Sequence, residues 1–462
     1  MTNTASELDH QIERATEAEV DADAEAMVAR AVTAQETFEN WTDLRVDALL
    51  RELANAFADQ AEELAMATVA ETGLGNVEDK TIKNRFASLT VFESIAGKIT
   101  QGQIAVDARR QVSELASPVG VIFAIVPQTG PVETAIFKML IALKTRNALI
   151  LSVPRQALNA GRMAAAIAHR VLIAHRAPVD VVQIVERPGR VTARRFMSHP
   201  RVSLVLATGG TGLVKAAYRS GTPAIGVGPG NAPAWVCADA HLERAAAQIV
   251  GSKAFDNGLI CGAEHNLVVD DRVVPAFVES LTRYGAAVLT RDEERLLFRL
   301  GAVDVDSGQL RRDFIGQPAQ AMADALGIER PYPIRLLVVP SDASTLSGFY
   351  AGEKLAPWLS FFPASGEDQG LRLCRLILRT AGAGHTAIIH TTSRARMERF
   401  ARVMPAGRIL INAPGAQGCC GMTTGLEHSL SLGCGTFGGN STTDNITWRH
   451  LLNIKRVAHN LQ

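Results

Sequence analysis

The stretch "VGVIFAIVPQTGPVETAIFKMLIALKTRNALILSVP", from Val119 to Pro154, places one amphipathic segment between two short apolar runs. The runs cover 119–127 and 147–154, and the segment between them repeats apolar residues at three- and four-residue spacing. Apolar runs without polar alternation are typical of strands buried on both faces, and a helix between two such strands is typical of a parallel βαβ unit. The stretch therefore predicts an α/β fold built on a parallel sheet.

The same alternation continues on both sides of this stretch. Further apolar runs at 179–186 and 201–210 predict strands, and a second α/β unit follows at about 235–430. Upstream, 22–95 has helical spacing throughout. Residues 1–20 are expected to form a terminal helix or arm, with an amphipathic targeting tag for a protein shell as the alternative.

Composition excludes several classes of function. The chain has 462 residues, which suggests two to four domains, and equal numbers of basic and acidic side chains give a formal net charge of zero. A neutral chain argues against a nucleic-acid surface or a polybasic membrane patch, and no apolar run is long enough for a membrane span. Six cysteines without a C-x-x-C pair indicate neither a disulfide framework nor a zinc cage. We therefore expect a cytoplasmic globular protein with reduced thiols and no metal.

Three glycine clusters are candidates for ligand binding. The G-x-G-x-x-G at 433–438 does not fit a dinucleotide fingerprint, because too few residues follow it to complete a βαβ unit, and it predicts a loop. The cluster "ATGGTG" at 207–212 ends a strand and opens a helix, where free N–H groups suit a pyrophosphate or a nicotinamide ribose. The cluster "GVGPGN" at 226–231 allows close approach of a ligand or of a neighbouring chain, or forms a tight turn.

Cys261 is the candidate nucleophile. It follows the polar turn Asp256-Asn257-Gly258 and precedes a strand-like run, whereas a buried cysteine elsewhere in the chain is more simply a small core residue. Cys237 and Cys374 lie in apolar segments, Cys434 lies in a loop, and the adjacent Cys419 and Cys420 either line a cavity or pack.

With these residues together, the chain resembles the CoA-acylating aldehyde dehydrogenases of the aldehyde dehydrogenase superfamily. The motifs that carry the resemblance are "ETGLGNVEDKTIKN" (71–84), "AIFKMLIALKTRNALI" (135–150), "LATGGTGLVKAAYRSGTPAIGVGPGNAP" (206–233), "SKAFDNGLICGAEHNLVV" (252–269), "IGQPA" (315–319), "EKLAP" (353–357), "GRILIN" (407–412) and "LGCGTFGGNSTTDN" (432–445). The resemblance implies a Rossmann-like nucleotide-binding domain, an α/β catalytic domain and a small bridging hairpin for oligomerisation. The expected bounds are 1–100 and 117–234, then 235–445, with 101–116 and 446–462 as the bridging segments.

The resemblance also implies the chemistry. Cys261, as a thiolate of lowered pKa, attacks an aldehyde, the adduct passes hydride to NAD or NADP, and the resulting thioester is transferred to coenzyme A. The Cys261 N–H and a side chain of the turn at 127–131 are expected to stabilise the oxyanion. The residues assigned to catalysis are Cys261 and Thr129. The residues assigned to the cofactor are Ser152, Arg155, Thr208, Gly209, Gly210, Thr211, Gly226, Gly228 and Glu353, the last holding the nicotinamide ribose.

Three departures from the wider superfamily refine these expectations. Gly130 stands where acylating relatives have an oxyanion-binding asparagine, so either Thr129 or Gln128 substitutes or the pocket is wider. Gly226 stands where hydrolytic relatives have a basic glutamate, which predicts that water does not cleave the thioester. Ser152 and Arg155, with no acid nearby, favour NADP over NAD.

The identity of the aldehyde is left open by the sequence. The candidates are acetaldehyde, propionaldehyde, succinic semialdehyde and sulfoacetaldehyde, and His265 with the space at Gly130 suits an anionic tail. The alternatives in function are a hydrolytic aldehyde dehydrogenase and a non-catalytic scaffold member of the family. A homodimer or homotetramer in the cytoplasm is expected, with a bacterial microcompartment as the alternative location.

Overall fold

The computed structural model describes residues 4–304, 309–342, 344, 346 and 348–461, with side chains from residue 17 onward. The chain divides into two compact units. The first unit contains Met1–Glu71, Lys83–Gly226 and Thr447–Gln462, and the second contains Thr72–Ile82 and Val227–Ile446.

The strands of the described residues are, in chain order, β1 (Gly102–Asp107), β2 (Val112–Pro118), β3 (Val121–Ile125), β4 (Ala148–Ser152), β5 (Val182–Ile184), β6 (Leu204–Thr208), β7 (Ala224–Val227), β8 (Ala232–Val236), β9 (Glu264–Asp270), β10 (Ala286–Val288), β11 (Leu336–Pro340), β12 (Trp358–Ala364), β13 (Gly384–His390), β14 (Ala406–Ile411) and β15 (Leu452–Ala458).

The α-helices of the described residues are α1 (Thr4–Phe38), α2 (Asp43–Asp59), α3 (Ala61–Thr72), α4 (Val77–Arg85), α5 (Val91–Ile95), α6 (Pro131–Lys144), α7 (Leu158–Ala174), α8 (Arg190–Met197), α9 (Thr211–Tyr218), α10 (Leu242–Ala254), α11 (Val274–Arg283), α12 (Arg291–Arg299), α13 (Ala319–Leu326), α14 (Gly348–Ala351), α15 (Gly366–Thr380), α16 (Arg394–Val403) and α17 (Gly415–Cys419).

The first unit is built on a sheet of order β5-β4-β3-β6-β7, in which β3 pairs in parallel with both β4 and β6. Every residue of β3 and β4 is buried, as the continuous apolar runs predict. The strand order reverses between β3 and β6, which is where ligands bind in open α/β sheets. Buried Lys138 joins the two strand ends there, because its Nζ donates to the carbonyl oxygens of Ile125 at 2.7 Å and Leu206 at 3.0 Å.

The first unit also contains an antiparallel sheet of order β1-β2-β15. It pairs 101–116 with the C-terminal segment, which are the two segments expected to form the bridging arm, and β15 runs beside β2 from Leu452 opposite Pro118 to Ala458 opposite Val112. Several side chains of β1 and β15 are exposed, including Val106 and Val457. The role of this sheet between subunits stays a prediction.

The second unit is built on a seven-stranded sheet of order β10-β11-β12-β9-β8-β13-β14, whose described pairings are all parallel. Two apolar cores flank it: one includes Trp358 and Phe349, and the other includes Trp235 and Phe362. The predicted boundary at 234 falls inside β8, which pairs with β9 and β13 of this sheet.

The α/β fold predicted from the apolar runs is confirmed, and the differences are local. The run at 179–186 gives only the short strand β5, because Val179–Val181 forms a 3₁₀ turn after Pro178. Within the predicted segment 1–20, residues 4–20 begin a single long helix, α1, which docks through buried Ala24, Val28 and Ala31, and residues 1–3 lie outside the described residues.

Candidate active site

A strained turn precedes the candidate nucleophile. Asp256, Asn257 and Gly258 all have left-handed backbone conformations, with φ of 47°, 52° and 75°. Two consecutive non-glycine residues with positive φ are uncommon, and such strain persists where the surroundings impose it. Gly258 is required by close packing as well, since a Cβ there would lie 2.4 Å from the carbonyl oxygen of Ala356.

Side-chain anchors hold this turn. The buried Asp256 carboxylate accepts from Lys80 Nζ at 3.0 Å and from the Asn76 N–H at 3.1 Å, and its own N–H donates to Asp79 Oδ2 at 2.7 Å. Asn257 Nδ2 donates to the carbonyl oxygen of Gly316 at 2.9 Å. Three motifs that lie far apart in the sequence therefore meet at the turn. Their contacts fix the position of the chain just before Cys261.

The Cys261 thiol faces a histidine. His385, at the start of β13, places its Nε2 3.1 Å from Cys261 Sγ. Its Nδ1 lies 2.9 Å from the hydroxyl of Thr386, which also accepts from Arg408 Nε at 3.4 Å. With the Nδ1–H donating to the Thr386 hydroxyl, Nε2 carries a lone pair toward the thiol. The pair then has the geometry of a nucleophile and its general base.

The electrostatics make this a neutral pair. Burial lowers the pKa of His385 well below its usual value, and the charge of Arg408 adds to that effect. Burial raises the pKa of Cys261 well above that of an ordinary thiol, and the neighbouring Cys420 and Glu353 add to it. The sequence led us to expect a thiolate of lowered pKa at rest. Instead, desolvation favours the thiol, so a base must remove its proton as it reacts.

Close backbone contacts fix the segments around Cys261. A Cβ at Gly230 would lie 1.7 Å from the Cys261 carbonyl oxygen, and a Cβ at Gly262 would lie 2.2 Å from Cys419 Sγ. A Cβ at Gly384, the residue before His385, would lie 1.7 Å from the carbonyl oxygen of Cys434. No side chain fits at these positions, so the glycines set the distance between the Cys261 segment and its neighbours.

The G-x-G-x-x-G segment forms a loop, as predicted. Buried Arg408 fixes it by donating to the carbonyl oxygens of Gly433 at 2.6 Å and Thr443 at 3.1 Å. Asn440 Oδ1 accepts from the Cys434 N–H at 3.0 Å. The same Arg408 therefore orders this loop and contacts the hydroxyl that orients His385.

Two acids lie in this part of the second unit. Glu353 is half-buried and accepts from the Gly230 N–H at 3.2 Å, and burial raises its pKa to about 7. Glu264 is fully buried and accepts from Ser252 Oγ at 2.5 Å and from the Gly415 N–H at 2.8 Å, and burial raises its pKa to about 7. Glu264 is thus engaged in structural hydrogen bonds, whereas the partly exposed Glu353 fits a ligand contact.

The residues expected to bind the nucleotide lie at the carboxyl ends of β4 and β6 in the first unit. Ser152 ends β4 and is buried, and the exposed Arg155 donates through Nε to the Pro188 carbonyl oxygen at 2.9 Å. Gly209, Gly210 and Thr211 follow β6 and open α9, with Thr208 as the last residue of the strand. This arrangement offers helix N–H groups and an arginine at the sheet edge where phosphates bind.

Gly226 and Gly228 were both assigned to cofactor binding, but their surroundings differ. A Cβ at Gly226 would lie 2.7 Å from Val214 Cγ1 and 2.9 Å from Tyr218 Cε2, so the position has no room for a side chain. A Cβ at Gly228, in the second unit, would meet nothing within 4 Å. Gly226 therefore allows α9 to pack closely against β7, and of these two glycines only Gly228 has open space beside it.

Gly130 does not widen the pocket beside the turn at 127–131. A Cβ at Gly130 would lie 2.9 Å from Glu133 Oε1, and Glu133 forms a buried ion pair with Lys83. The carboxylate of Glu133 thus occupies the space at Gly130. Thr129 is half-buried and Gln128 is exposed, so Thr129 stays the candidate for the oxyanion contact.

His385 was missed by the sequence reasoning, although "GAGHT" (382–386) carries a signal. The signal is a polar residue between the glycines at 382 and 384 and the apolar residues of a strand. Nothing local distinguishes it from His390 at the end of the same strand, because only the fold brings one of the two to Cys261.

The described residues contain no helix long and apolar enough to cross a membrane. Nor do they contain a group of three or more histidine, cysteine, aspartate or glutamate side chains that could hold a metal ion. The six cysteines all lie in the described part and are free thiols.

The described residues thus form two units built on parallel sheets, and the second unit carries a thiol–imidazole pair, which is the type of architecture that the motifs led us to expect. The sequence profile of the aldehyde dehydrogenase family matches residues 4–313, and the chain belongs to that family. The resemblance drawn from the motifs is thereby confirmed.

Named relatives agree with this assignment. The chain is 39% identical over 442 residues to the bifunctional aldehyde–alcohol dehydrogenase of Escherichia coli, covering 95% of this chain and 49% of that protein. It therefore spans about half the length of that relative. It is 36% identical over 443 residues to a sulfoacetaldehyde dehydrogenase (acylating) of Cupriavidus necator, covering 94% and 88%. The crystal structure of an acetylating aldehyde dehydrogenase from Geobacillus thermoglucosidasius superposes with a TM-score of 0.93 at 37% identity, covering 97% and 98%.

Proposed function

We propose that the protein is a CoA-acylating aldehyde dehydrogenase, and that Cys261 and His385 are its nucleophile and base. The observation that carries the proposal is the 3.1 Å contact between the half-buried Cys261 Sγ and the buried His385 Nε2. The relatives named acylating or acetylating support it. An aldehyde carbon cannot release hydride until a nucleophile makes it tetrahedral, and a thiol with a positioned base does this near neutral pH.

The first half-reaction oxidises the aldehyde. As Cys261 Sγ bonds to the carbonyl carbon, its proton passes to His385 Nε2 and the carbonyl electrons move to oxygen, where the Cys261 N–H and Thr129 are the proposed donors. When bound, a nicotinamide cofactor would accept the hydride, which the Cys261 adduct releases with its electron pair as the C=O bond reforms. Cys261 is then a thioester, and His385 releases its proton to solvent.

The second half-reaction transfers the acyl group. The CoA thiol gives its proton to His385 Nε2 and attacks the thioester carbon, and the departing Cys261 sulfur takes that proton back. The sum is aldehyde, CoA and oxidised cofactor to acyl-CoA, reduced cofactor and one proton. Hydrolysis is disfavoured because Gly226 has neither a base nor room for one, and because Glu264 is engaged elsewhere. A positioned base is worth about 10²–10⁴ in rate to water, whereas a thiol is intrinsically a better nucleophile.

The nucleotide-side residues support NADP as the cofactor. The guanidinium of Arg155 is fixed by one hydrogen bond to the Pro188 carbonyl oxygen and remains exposed, which suits a 2′-phosphate. We expect Arg155→Ala to lower kcat/KM for NADP about 10- to 100-fold, since a charge-assisted hydrogen bond is worth about 1.5–3 kcal/mol, and to leave NAD unaffected. Arg162→Ala, an exposed arginine paired with Glu186, is the matched control. An Arg155→Ala variant with unchanged NADP-to-NAD preference contradicts this assignment.

The substrate is proposed to be a short-chain aldehyde. The two features that favoured an anionic tail do not provide a free cation, because His265 is fully buried and Glu133 fills the space at Gly130. Sulfoacetaldehyde retains support from the acylating relative, so it belongs in a panel with acetaldehyde, propionaldehyde and succinic semialdehyde.

We also propose a cytoplasmic homodimer or homotetramer, with the β1-β2-β15 sheet as its bridging element.

The deciding experiment is stopped-flow reduction of the cofactor without CoA. We expect a burst of about one reduced cofactor per active subunit, then near-silence, with turnover and acyl-CoA formation restored by CoA. Sustained turnover without CoA, with free acid accumulating at a comparable rate, would favour a hydrolytic enzyme instead. Absence of any burst with every aldehyde of the panel and with either cofactor would favour a non-catalytic member of the family.

A further inference from the structure

A cluster of three buried polar side chains lies in the second unit and takes no part in the mechanism above. We call Lys253 of α10, His265 of β9 and Lys354 the buried lysine network. Lys253 and His265 have no exposed surface, and Lys354 is 1% exposed. Burying two ammonium groups together costs folding free energy, and that cost must be offset by hydrogen bonds or accepted for a functional role.

The network holds the main chain next to Glu353. The N–H of Lys354 donates to His265 Nδ1 at 2.9 Å, and the carbonyl oxygen of Lys354 accepts from Lys253 Nζ at 2.7 Å. The Lys354 peptide is thus fixed on both sides. Lys354 Nζ in turn donates to the Gly352 carbonyl oxygen at 2.9 Å. Glu353 lies between these two residues, so the network defines the backbone on either side of it.

The proton positions in the network follow from these contacts. His265 Nδ1 accepts from a backbone N–H and lies 3.1 Å from Lys253 Nζ, so the ring is neutral with its proton on Nε2. Burial lowers the pKa of His265 well below its usual value, and the two lysines add to that effect. Among the described residues, His265 Nε2 has no hydrogen-bond partner. The histidine therefore serves as an acceptor that cannot replace the charge of Lys253.

The charge of Lys253 acts on two acids. Burial lowers its pKa to about 7, and Glu264 and Glu353 raise it. Glu353 in turn has a pKa raised to about 7 by burial, and the Gly230 N–H and Lys253 oppose that rise. Glu264 is also held by two hydrogen bonds from Ser252 and Gly415, whereas among the described residues Glu353 accepts a hydrogen bond from Gly230 alone and depends more on its charged neighbour.

We propose that Lys253 is a positioning residue for Glu353, fixing the peptide after it and supplying the positive charge that keeps its carboxylate ionised to accept the ribose hydroxyls of the nicotinamide cofactor. The inference rests on the proposed function, in which Glu353 contacts that ribose. Its consequence is that cofactor affinity, and not only turnover, depends on a lysine that touches neither cofactor nor substrate.

The test measures binding without turnover. NADPH and NADH affinities of the 462-residue chain are measured by fluorescence from pH 6 to 9, in the absence of aldehyde and CoA. In Lys253→Met the lost charge raises the pKa of Glu353, so the loss of binding on the acid side should begin at least one pH unit higher. Affinity at pH 7 should fall about fivefold or more and should recover toward the wild-type value at pH 9. Lys144→Met, which removes a fully buried lysine of the first unit, should not move the profile.

A second variant keeps the test decisive if Lys253→Met does not fold. Glu353→Gln cannot titrate, so its affinity should be weaker than wild type and flat over this pH range, and a double variant should add no further loss. An acid-side loss that stays in place in Lys253→Met, or that persists in Glu353→Gln, overturns the proposal. Because binding is read without catalysis, failure of the CoA-independent burst with intact Glu353-dependent binding rejects the proposed function and leaves this inference standing.

Discussion

Replacement of His385 by alanine isolates the contribution of the base. In the wild type, the imidazole has a pKa well below 6.5, so it is neutral and ready to accept a proton throughout the neutral range. The thiol it faces has a raised pKa, and each unit above the ordinary value of about 8.5 lowers its thiolate fraction tenfold at neutral pH. Without the base, the reaction depends on that small thiolate fraction.

We expect His385→Ala to slow the CoA-independent burst by about 10²–10⁴-fold at pH 7.5, which corresponds to about 2.7–5.5 kcal/mol of activation free energy. The pH dependence should change as well. The wild-type burst should be flat above pH 7 and fall only at acid pH, where His385 becomes protonated. The variant burst should rise about tenfold per pH unit up to pH 10, because the thiolate must then form by equilibrium loss of its proton. Stopped-flow absorbance of the reduced cofactor measures both.

His390 provides the matched control for this experiment. It lies on the same strand, is 2% exposed and has a pKa lowered to about 4 by burial. Among the described residues, however, the histidine that contacts the Cys261 sulfur is His385 and not His390. His390→Ala should keep the burst rate within about threefold of wild type and leave its pH profile flat. The reasoning fails if His385→Ala stays within tenfold of wild type with an unchanged pH profile.

Three other substitutions test the site and its supports. Cys261→Ala should abolish cofactor reduction while circular dichroism and melting stay near wild type; retention of a tenth of the rate excludes Cys261 as the nucleophile. Gly262→Ala should cost about 1–3 kcal/mol of unfolding free energy through its clash with Cys419, and a double variant with Cys419→Gly should recover it; a double variant no more stable than the single one contradicts the clash. Lys83→Met should cost about 3–5 kcal/mol by removing the buried cation beside Glu133, and chemical denaturation that shows under 1 kcal/mol argues against that ion pair.

The fold was predictable because its strands are continuous apolar runs. Runs such as 119–127 and 147–154 are buried on both faces, and that is a property of each segment by itself. The strand at 179–186 was overestimated because Pro178 starts a 3₁₀ turn that uses its first residues. Propensity alone does not separate a turn from a strand in a short apolar segment.

The features of the site that were predictable from the sequence are those that depend on contiguous residues. The turn before Cys261 was recognised because its residues are contiguous, but its protonation state was not, because desolvation depends on distant segments that surround the thiol. His385 lies 124 residues from Cys261 in the chain, and no spacing rule links them. Glu133 was overlooked for the same reason, since its role at Gly130 depends on a lysine 50 residues earlier.

The neutral thiol–imidazole pair also determines how the protein withstands its surroundings between catalytic cycles. Peroxides and alkylating agents react with thiolates rather than thiols. A nucleophile stored with its proton therefore reacts more slowly with these reagents while no substrate is present. Storage in air and passage through oxidative stress should inactivate this protein slowly, and exposure to an aldehyde and oxidised cofactor without CoA should protect it further, since the sulfur is then covered by the acyl group.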